Sequence, residues 1–199
     1  MISSSSLVSC PGCGLERPAS GIAYDRKFHA SAECWALFEQ VIGREFESAV
    51  LFGQAHQLTV DAYAVQHAGG GHPDKSVAIH LAGLHLSLER GLRLWEVPAW
   101  LQRIAAAAPG WPHLEPPAPR PRGLSIRNVA ESRSPDRHVE AVRAWAAQVW
   151  ETWRPHHAAA RALAELGASP TPPTGGGTDA PRTGGGTDPR GRRRTVPRA

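Results

Sequence analysis

The chain has 199 residues, which is enough for one domain of ordinary size with a terminal extension. Its formal net charge of +4 comes entirely from residues 168–199, where six arginines outnumber two aspartates, because the sixteen basic and sixteen acidic side chains of residues 1–167 cancel. The neutral body argues against a nucleic-acid binder with a basic surface. The sequence contains no run of about 18 apolar residues, which is the length that would predict a membrane-spanning helix.

Three cysteines, an odd number, argue against a disulfide framework and for a reducing compartment. The N-terminus has neither the basic nor the long apolar region of a signal peptide, so we expect a cytoplasmic protein. Composition divides the chain into a flexible Ser-rich leader at 1–8, a folded domain at 9–167 and a disordered Gly/Thr/Pro/Arg-rich tail at 168–199.

The first chemical motif is the pair Cys10 and Cys13, which are separated by Pro11 and Gly12 and followed by Gly14. Glycines here can adopt the positive φ of a tight turn, so both thiolates can reach one ion and backbone N–H groups can reach the sulfurs. We interpret the motif as half of a zinc site. The alternatives are a pair of small buried thiols and a redox-active dithiol. A redox site would normally lie between a strand and a helix, whereas this context favours a loop.

The third cysteine, Cys34, is predicted to supply a third ligand. Ser31 is a suitable N-cap for a helix over residues 32–49, and this start places Cys34 in the first turn. The positive end of the helix dipole favours a thiolate at that point. A buried core cysteine beside Trp35 is the competing interpretation.

Tetrahedral zinc needs a fourth ligand in addition to three cysteines. We favour His29 because it is close to the cysteines in the sequence. His67 is the distal alternative, and it would attach a second helix to the zinc knuckle. Asp25 or a water molecule also stays open as the fourth ligand.

The helix over 32–49 carries one apolar stripe, formed by Trp35, Phe38, Ile42 and Phe46, and its acidic residues, Glu45 among them, lie off that stripe. Periodicity and end signals predict further helices over residues 58–67 and 76–91, from 98 and from 135. Five prolines make 111–123 extended, and Pro155 breaks the last helix. The fold class is therefore mainly α, a small helical bundle with an N-terminal zinc-knuckle loop and a disordered C-terminal tail.

Several polar residues share the predicted second helix, namely Asp61, Tyr63, Gln66 and His67. One interpretation is a polar catalytic pocket, with His67 as ligand or base, Asp61 orienting it and Tyr63 donating a hydrogen bond. The other, which we favour, is a buried structural network, because polar groups in a core are normally hydrogen-bonded.

Histidines on three predicted helices offer a second candidate metal site. If these helices pack together, His67, His80 and His156 could bind an ion with an open position for a water molecule. That arrangement would suit a metal-dependent hydrolase. The alternative is that all three are core histidines.

The motifs resemble those of an uncharacterised bacterial family of unknown function, DUF5946. The resemblance is carried by Cys-Pro-Gly-Cys-Gly at 10–14, Ser-Ala-Glu-Cys-Trp at 31–35 and Asp-Ala-Tyr-Ala-Val-Gln-His at 61–67. It extends over roughly residues 8–166, including the tryptophans and the histidine pair near its end. The resemblance implies these domain limits and brings no established activity.

These observations lead us to expect a zinc-stabilised binding or regulatory module with one structural Zn²⁺. A metal-dependent hydrolase that uses the three histidines is the alternative function. A weaker alternative is a nucleic-acid-associated protein, acting only through the arginine-rich tail at 190–198. No other partner is indicated.

Overall fold

A computed structural model describes residues 6–22, 24, 27–119 and 122–168 of the chain. This part is mainly helical, as the sequence predicts, and it contains one two-stranded antiparallel sheet. Residues 1–5 of the predicted leader and 169–199 of the predicted tail lie outside the described residues. The elements in chain order are β1 (Leu7–Ser9), β2 (Glu16–Pro18), α1 (Ala32–Phe46), α2 (Ala49–Leu51), a π-helical segment (Phe52–His56), α3 (Gln57–Gln66), α4 (Asp74–Leu88), α5 (Val97–Ala107), α6 (Ile126–Ala130), α7 (Pro135–Thr152), a 3-10 turn (Arg154–His156) and α8 (His157–Ala168).

The N-terminal hairpin holds the Cys-x-x-Cys motif in its loop. Strand β1 pairs with β2 in a register that sets Leu7 opposite Pro18. The loop is closed by two backbone hydrogen bonds, from Cys10 N–H to the Leu15 carbonyl at 2.8 Å and from Gly14 N–H to the Cys10 carbonyl at 2.8 Å. Gly14 has a φ of 72°, a conformation that glycine adopts without strain.

The buried face of α1 is rotated from the predicted stripe. Phe46 is 63% exposed, whereas Glu45 is completely buried and continues the face formed by Cys34, Phe38 and Val41. The predicted stripe was therefore wrong at this end of the helix. The reason is that an apolar count cannot identify a glutamate whose burial depends on hydrogen-bond partners from other helices.

The helices pack around a shared core. Helix α3 lies against α4 and α7, α4 lies against α5 and α8, and α1 lies against α6, which also contacts α7. The largest completely buried side chains include Tyr63, Leu81, Leu84 and Trp145, one or more from each of the three central helices. Because α3 is central, the residue at its C-terminal end, His67, is completely buried.

Local signals set most of the helix ends. Ser134 caps α7 by accepting from the backbone N–H of Arg137 at 3.3 Å, and Pro155 lies in the 3-10 turn that separates α7 from α8. Helix α4 begins at Asp74, two residues before the predicted start. The described residues of 111–123 contain neither helix nor strand, as expected. Among the described residues, no helix combines the length and apolarity required to cross a membrane.

Candidate metal centre

Four metal-ligating side chains converge where the hairpin loop meets the start of α1 and the end of α3. The ligand atoms of Cys10, Cys13, Cys34 and His67 all lie within 4.8 Å of one another, and all four residues are buried. Cys13 Sγ is 3.7 Å from Cys34 Sγ, and Cys34 Sγ is 3.4 Å from His67 Nε2. A tetrahedral zinc ion with ordinary bond lengths separates two sulfurs by about 3.8 Å and a sulfur from a nitrogen by about 3.6 Å. These two spacings therefore fit a tetrahedral ion.

The hairpin loop approaches α3 closely at Gly12. A Cβ atom at this position would lie 2.5 Å from the carbonyl oxygen of His29 and 2.5 Å from Cδ2 of His67. Both distances are far below van der Waals contact, so any larger residue would push the loop away from the histidine ring. The glycine therefore allows the two cysteines of the loop to reach His67.

The start of α1 fixes the third sulfur. The Ser31 side chain accepts a hydrogen bond from the backbone N–H of Cys34 at 3.2 Å, so the cap and the ligand are parts of one turn. The Tyr63 hydroxyl is 3.8 Å from Cys34 Sγ and donates to it. Burial raises the pKa of Tyr63, so the phenol keeps its proton and can stabilise a thiolate.

The end of α3 presents the histidine in a form suited to metal binding. His67 Nδ1 is 2.8 Å from the Tyr63 carbonyl, which can only accept, so Nδ1 carries the proton. In the neutral ring Nε2 is then the nitrogen free to bind a metal, and it faces Cys34 Sγ. The ring also stacks on Tyr63 with 4.0 Å between centroids. An imidazole oriented by a carbonyl through its other nitrogen is the usual arrangement of a metal-ligating histidine.

The three thiols affect one another's ionisation. Hydrogen bonds from Cys13 and Cys34 lower the pKa of Cys10, whereas the same closeness to Cys10 raises the pKa of Cys34. The shifts favour a thiolate at Cys10 and disfavour a second one at Cys34, because neighbouring thiolates repel one another. A divalent cation would remove that repulsion, so the donor set fits a metal of the zinc type.

The sequence placed the three cysteines in the site, and the structure brings all three together. The histidine in the group is His67, the distal alternative, and not the favoured His29. His29 is half-buried, and its backbone N–H donates to the His67 carbonyl at 2.9 Å. It therefore supports the backbone of His67 from outside the Cys3His group. Asp25 lies outside the described residues.

The three-histidine site is not assembled among the described residues. His67 belongs to the cysteine group, His80 Nδ1 lies 2.7 Å from a carboxylate oxygen of Asp61, and His156 Nε2 lies 2.8 Å from the Glu115 carbonyl. Each histidine has a separate set of contacts. The structure therefore gives no geometric support for the hydrolase alternative.

The polar residues of α3 form contacts within the core. Asp61 is completely buried, and the same carboxylate oxygen that meets His80 also accepts from Gln57 Nε2 at 2.9 Å. Burial raises the pKa of Asp61. Gln66 donates to the Leu124 carbonyl at 3.0 Å. These contacts connect α3 with α4 and with the segment before α6, in keeping with the favoured structural network.

A second buried polar cluster, centred on Glu45, was not predicted. Its carboxylate accepts from the Thr59 hydroxyl at 2.6 Å and lies 2.8 Å from His138 Nε2 and 3.0 Å from His56 Nδ1. It thereby joins α1, the π-helical segment, α3 and α7. The sequence signal for this cluster was that Glu45 lies eleven residues after Cys34, a spacing that places both residues on the same face of a helix.

The fold and the donor set define a mainly helical protein with a buried Cys3His geometry compatible with metal binding. Residues 8–154, most of the chain, match the family described as Family of unknown function (DUF5946), and the chain belongs to this family. No curated protein and no solved structure matches the chain. The family membership agrees with the resemblance drawn from the sequence motifs.

Proposed function

We propose that the Cys3His group binds one structural zinc ion and that the protein acts as a zinc-stabilised binding or regulatory module. The observation that carries the proposal is the closed set of four ligands. Cys34 and His67 are 0% exposed, and Cys10 and Cys13 are 2% and 6% exposed. Structural zinc sites have four protein ligands, whereas catalytic sites keep one position for water or substrate. The proposed role of this zinc is therefore to hold the structure.

Zinc is the metal that best suits these donors. Three sulfurs and one imidazole nitrogen at tetrahedral spacing are a frequent zinc set, and oxygen-preferring ions such as Mg²⁺ and Ca²⁺ are disfavoured. All three cysteines are free thiols in the structure. A reducing compartment would keep them available to the metal, which supports the cytoplasm as the proposed location.

The N-terminal hairpin is the element that zinc binding would stabilise most. Its strands have three residues each, and a two-stranded hairpin of this size is not stable alone in water. Zinc would attach its loop to α1 through Cys34 and to α3 through His67. The free energy of zinc binding would then contribute to folding and would keep the hairpin surface ordered for a partner.

The test is the metal content of the purified full chain and of matched variants. We expect about one zinc per chain, lost in Cys13→Ser and in His67→Ala and retained in the control His29→Ala. Unlike His67→Ala, the variant His67→Cys should bind zinc. When cobalt is bound in place of zinc, its absorption spectrum should then indicate four sulfur ligands. Loss of zinc in His29→Ala with retention in His67→Ala would contradict the assigned fourth ligand. A Cys13→Ser variant with a full zinc equivalent and unchanged melting would refute the site itself.

A further inference from the structure

An apolar groove of about 570 Å³ lies between the π-helical segment, the end of α4, the loop at 91–95 and α7. We refer to it as the α4–α7 groove. Its large apolar lining residues are four leucines and one tryptophan, namely Leu58, Leu88, Leu92, Leu94 and Trp95. Trp95 is 63% exposed, which is unusual for so large an apolar side chain. None of the lining residues belongs to the metal centre.

The charges at the groove are all positive. Arg93 and Arg143 are among its lining residues, which include no carboxylate. Arg143 is exposed and makes no ion pair with any residue that the structure describes. The Arg93 guanidinium lies 4.6 Å from the centre of the Trp95 ring and pairs with Glu96 at 2.8 Å. Arg143 is thus an exposed cation beside an apolar surface, with no carboxylate within ion-pair distance among the described residues.

We infer that the α4–α7 groove binds an amphipathic carboxylate, with an aliphatic or aromatic body against the leucines and its carboxylate on Arg143. An arginine fork matches a carboxylate through two parallel hydrogen bonds. The volume falls within the range of about 300–1,000 Å³ that is usual for small-molecule sites. The C-terminal segment of this chain is an unsuitable occupant, because its net charge of +4, from six arginines and two aspartates, would be repelled by the positively charged groove.

Two small residues leave room for the ligand. A Cβ atom built on Gly53 of the π-helical segment would meet no other atom within 4 Å, and Ala147 is an exposed lining residue on α7. Larger side chains at either position would occupy the groove without disturbing the core. A π-helical segment in a groove wall is also consistent with ligand binding, because such segments are frequent at functional sites.

The test is titration of the zinc-loaded full chain with dodecanoate, below its micelle concentration, by calorimetry. Dodecanoate should bind at one site, and dodecanol should bind more weakly because it lacks the charge. Arg143→Gln should weaken dodecanoate binding about tenfold. The matched control is Arg137→Gln on the same helix, which removes an arginine 75% exposed and outside the groove and should leave affinity unchanged.

A second variant tests the apolar part of the site. Ala147→Trp should abolish binding, whereas Ala144→Trp, at an exposed position of α7 outside the lining residues, should not. Circular dichroism and zinc content establish that each variant is folded. Failure of dodecanoate to bind, equal affinity for dodecanol, or insensitivity to Arg143→Gln and Ala147→Trp would overturn the inference. Binding of an acidic amphipathic peptide in place of dodecanoate would also overturn it, in favour of a protein partner.

Discussion

Replacing Gly12 by alanine tests whether the hairpin loop is packed against His67 as the proposed zinc site requires. The added Cβ would lie 2.5 Å from His67 Cδ2 and 2.5 Å from the His29 carbonyl oxygen. Neither atom can retreat easily. The His67 ring is held by its 2.8 Å hydrogen bond to the Tyr63 carbonyl, and His29 is held by its 2.9 Å backbone hydrogen bond to His67. The loop itself must therefore move by roughly an ångström to reach ordinary van der Waals contact.

Such overpacking typically costs about 1–3 kcal/mol. Because the clash exists only when the loop is seated on His67, we expect the cost in zinc affinity, which should fall roughly 5- to 150-fold. Competition with a chromophoric chelator measures that affinity. Thermal unfolding should show a large loss of stability in zinc-loaded Gly12→Ala and a smaller loss after the metal is removed.

Gly43→Ala is the matched control. It makes the same chemical change within α1, at a position where a Cβ meets no other atom within 4 Å. There the substitution should leave zinc affinity unchanged and stabilise the protein by roughly 0.5–1 kcal/mol, because alanine favours helix. Wild-type zinc affinity in Gly12→Ala would refute the packing of the loop on His67.

Three further predictions concern other parts of the chain. Glu45→Ala should destabilise the protein by about 3–5 kcal/mol in urea unfolding, because it leaves buried His138 and half-buried His56 without their carboxylate partner. Exposed Glu47→Ala should change stability by less than about 0.5 kcal/mol, and similar effects of the two variants would contradict the buried cluster. The Arg161 hydrogen bond lowers the pKa of Glu89 to about 2, so its contribution is present above the unfolded value of about 4.3 and is lost as pH falls towards 2. The stability difference between wild type and Glu89→Gln should shrink over that pH range, and a constant difference would contradict the reasoning. Any nucleic-acid affinity, measured by fluorescence anisotropy, is predicted to disappear with its salt dependence when residues 168–199 are deleted, and its persistence would place the binding on the neutral body.

Sequence reasoning was accurate where the relevant residues are close neighbours in the chain. Cys10 and Cys13 are three residues apart, and Ser31 and Cys34 are within one helical turn, so the geometry of each pair follows from local backbone preferences. Pro155 interrupts its helix because of its own ring and missing N–H, whatever surrounds it. These features need no knowledge of packing.

Local backbone preferences could not decide whether His29 or His67 lies beside the three cysteines. Proximity in the sequence favoured His29, but closing a longer loop costs only about 0.6 kcal/mol for each doubling of its length. The packing of α3 against its neighbours outweighs so small a term and brings His67 to Cys34, 33 residues away. Sequence distance was therefore a weak guide to which histidine lies beside the three cysteines.

The sequence by itself determined the helical class, the cysteine motif, the caps at Ser31 and Ser134 and the break at Pro155, because these depend on interactions within a few residues. Only the tertiary structure decided that His67 lies beside the cysteines, that Glu45 is buried, and that His80 and His156 contact residues different from those around His67. Each of these depends on how helices are rotated and packed against one another. Histidine has only an intermediate preference for burial, and glutamate is normally exposed unless a partner pairs with it, so neither residue type indicates this rotation from its own position in the chain.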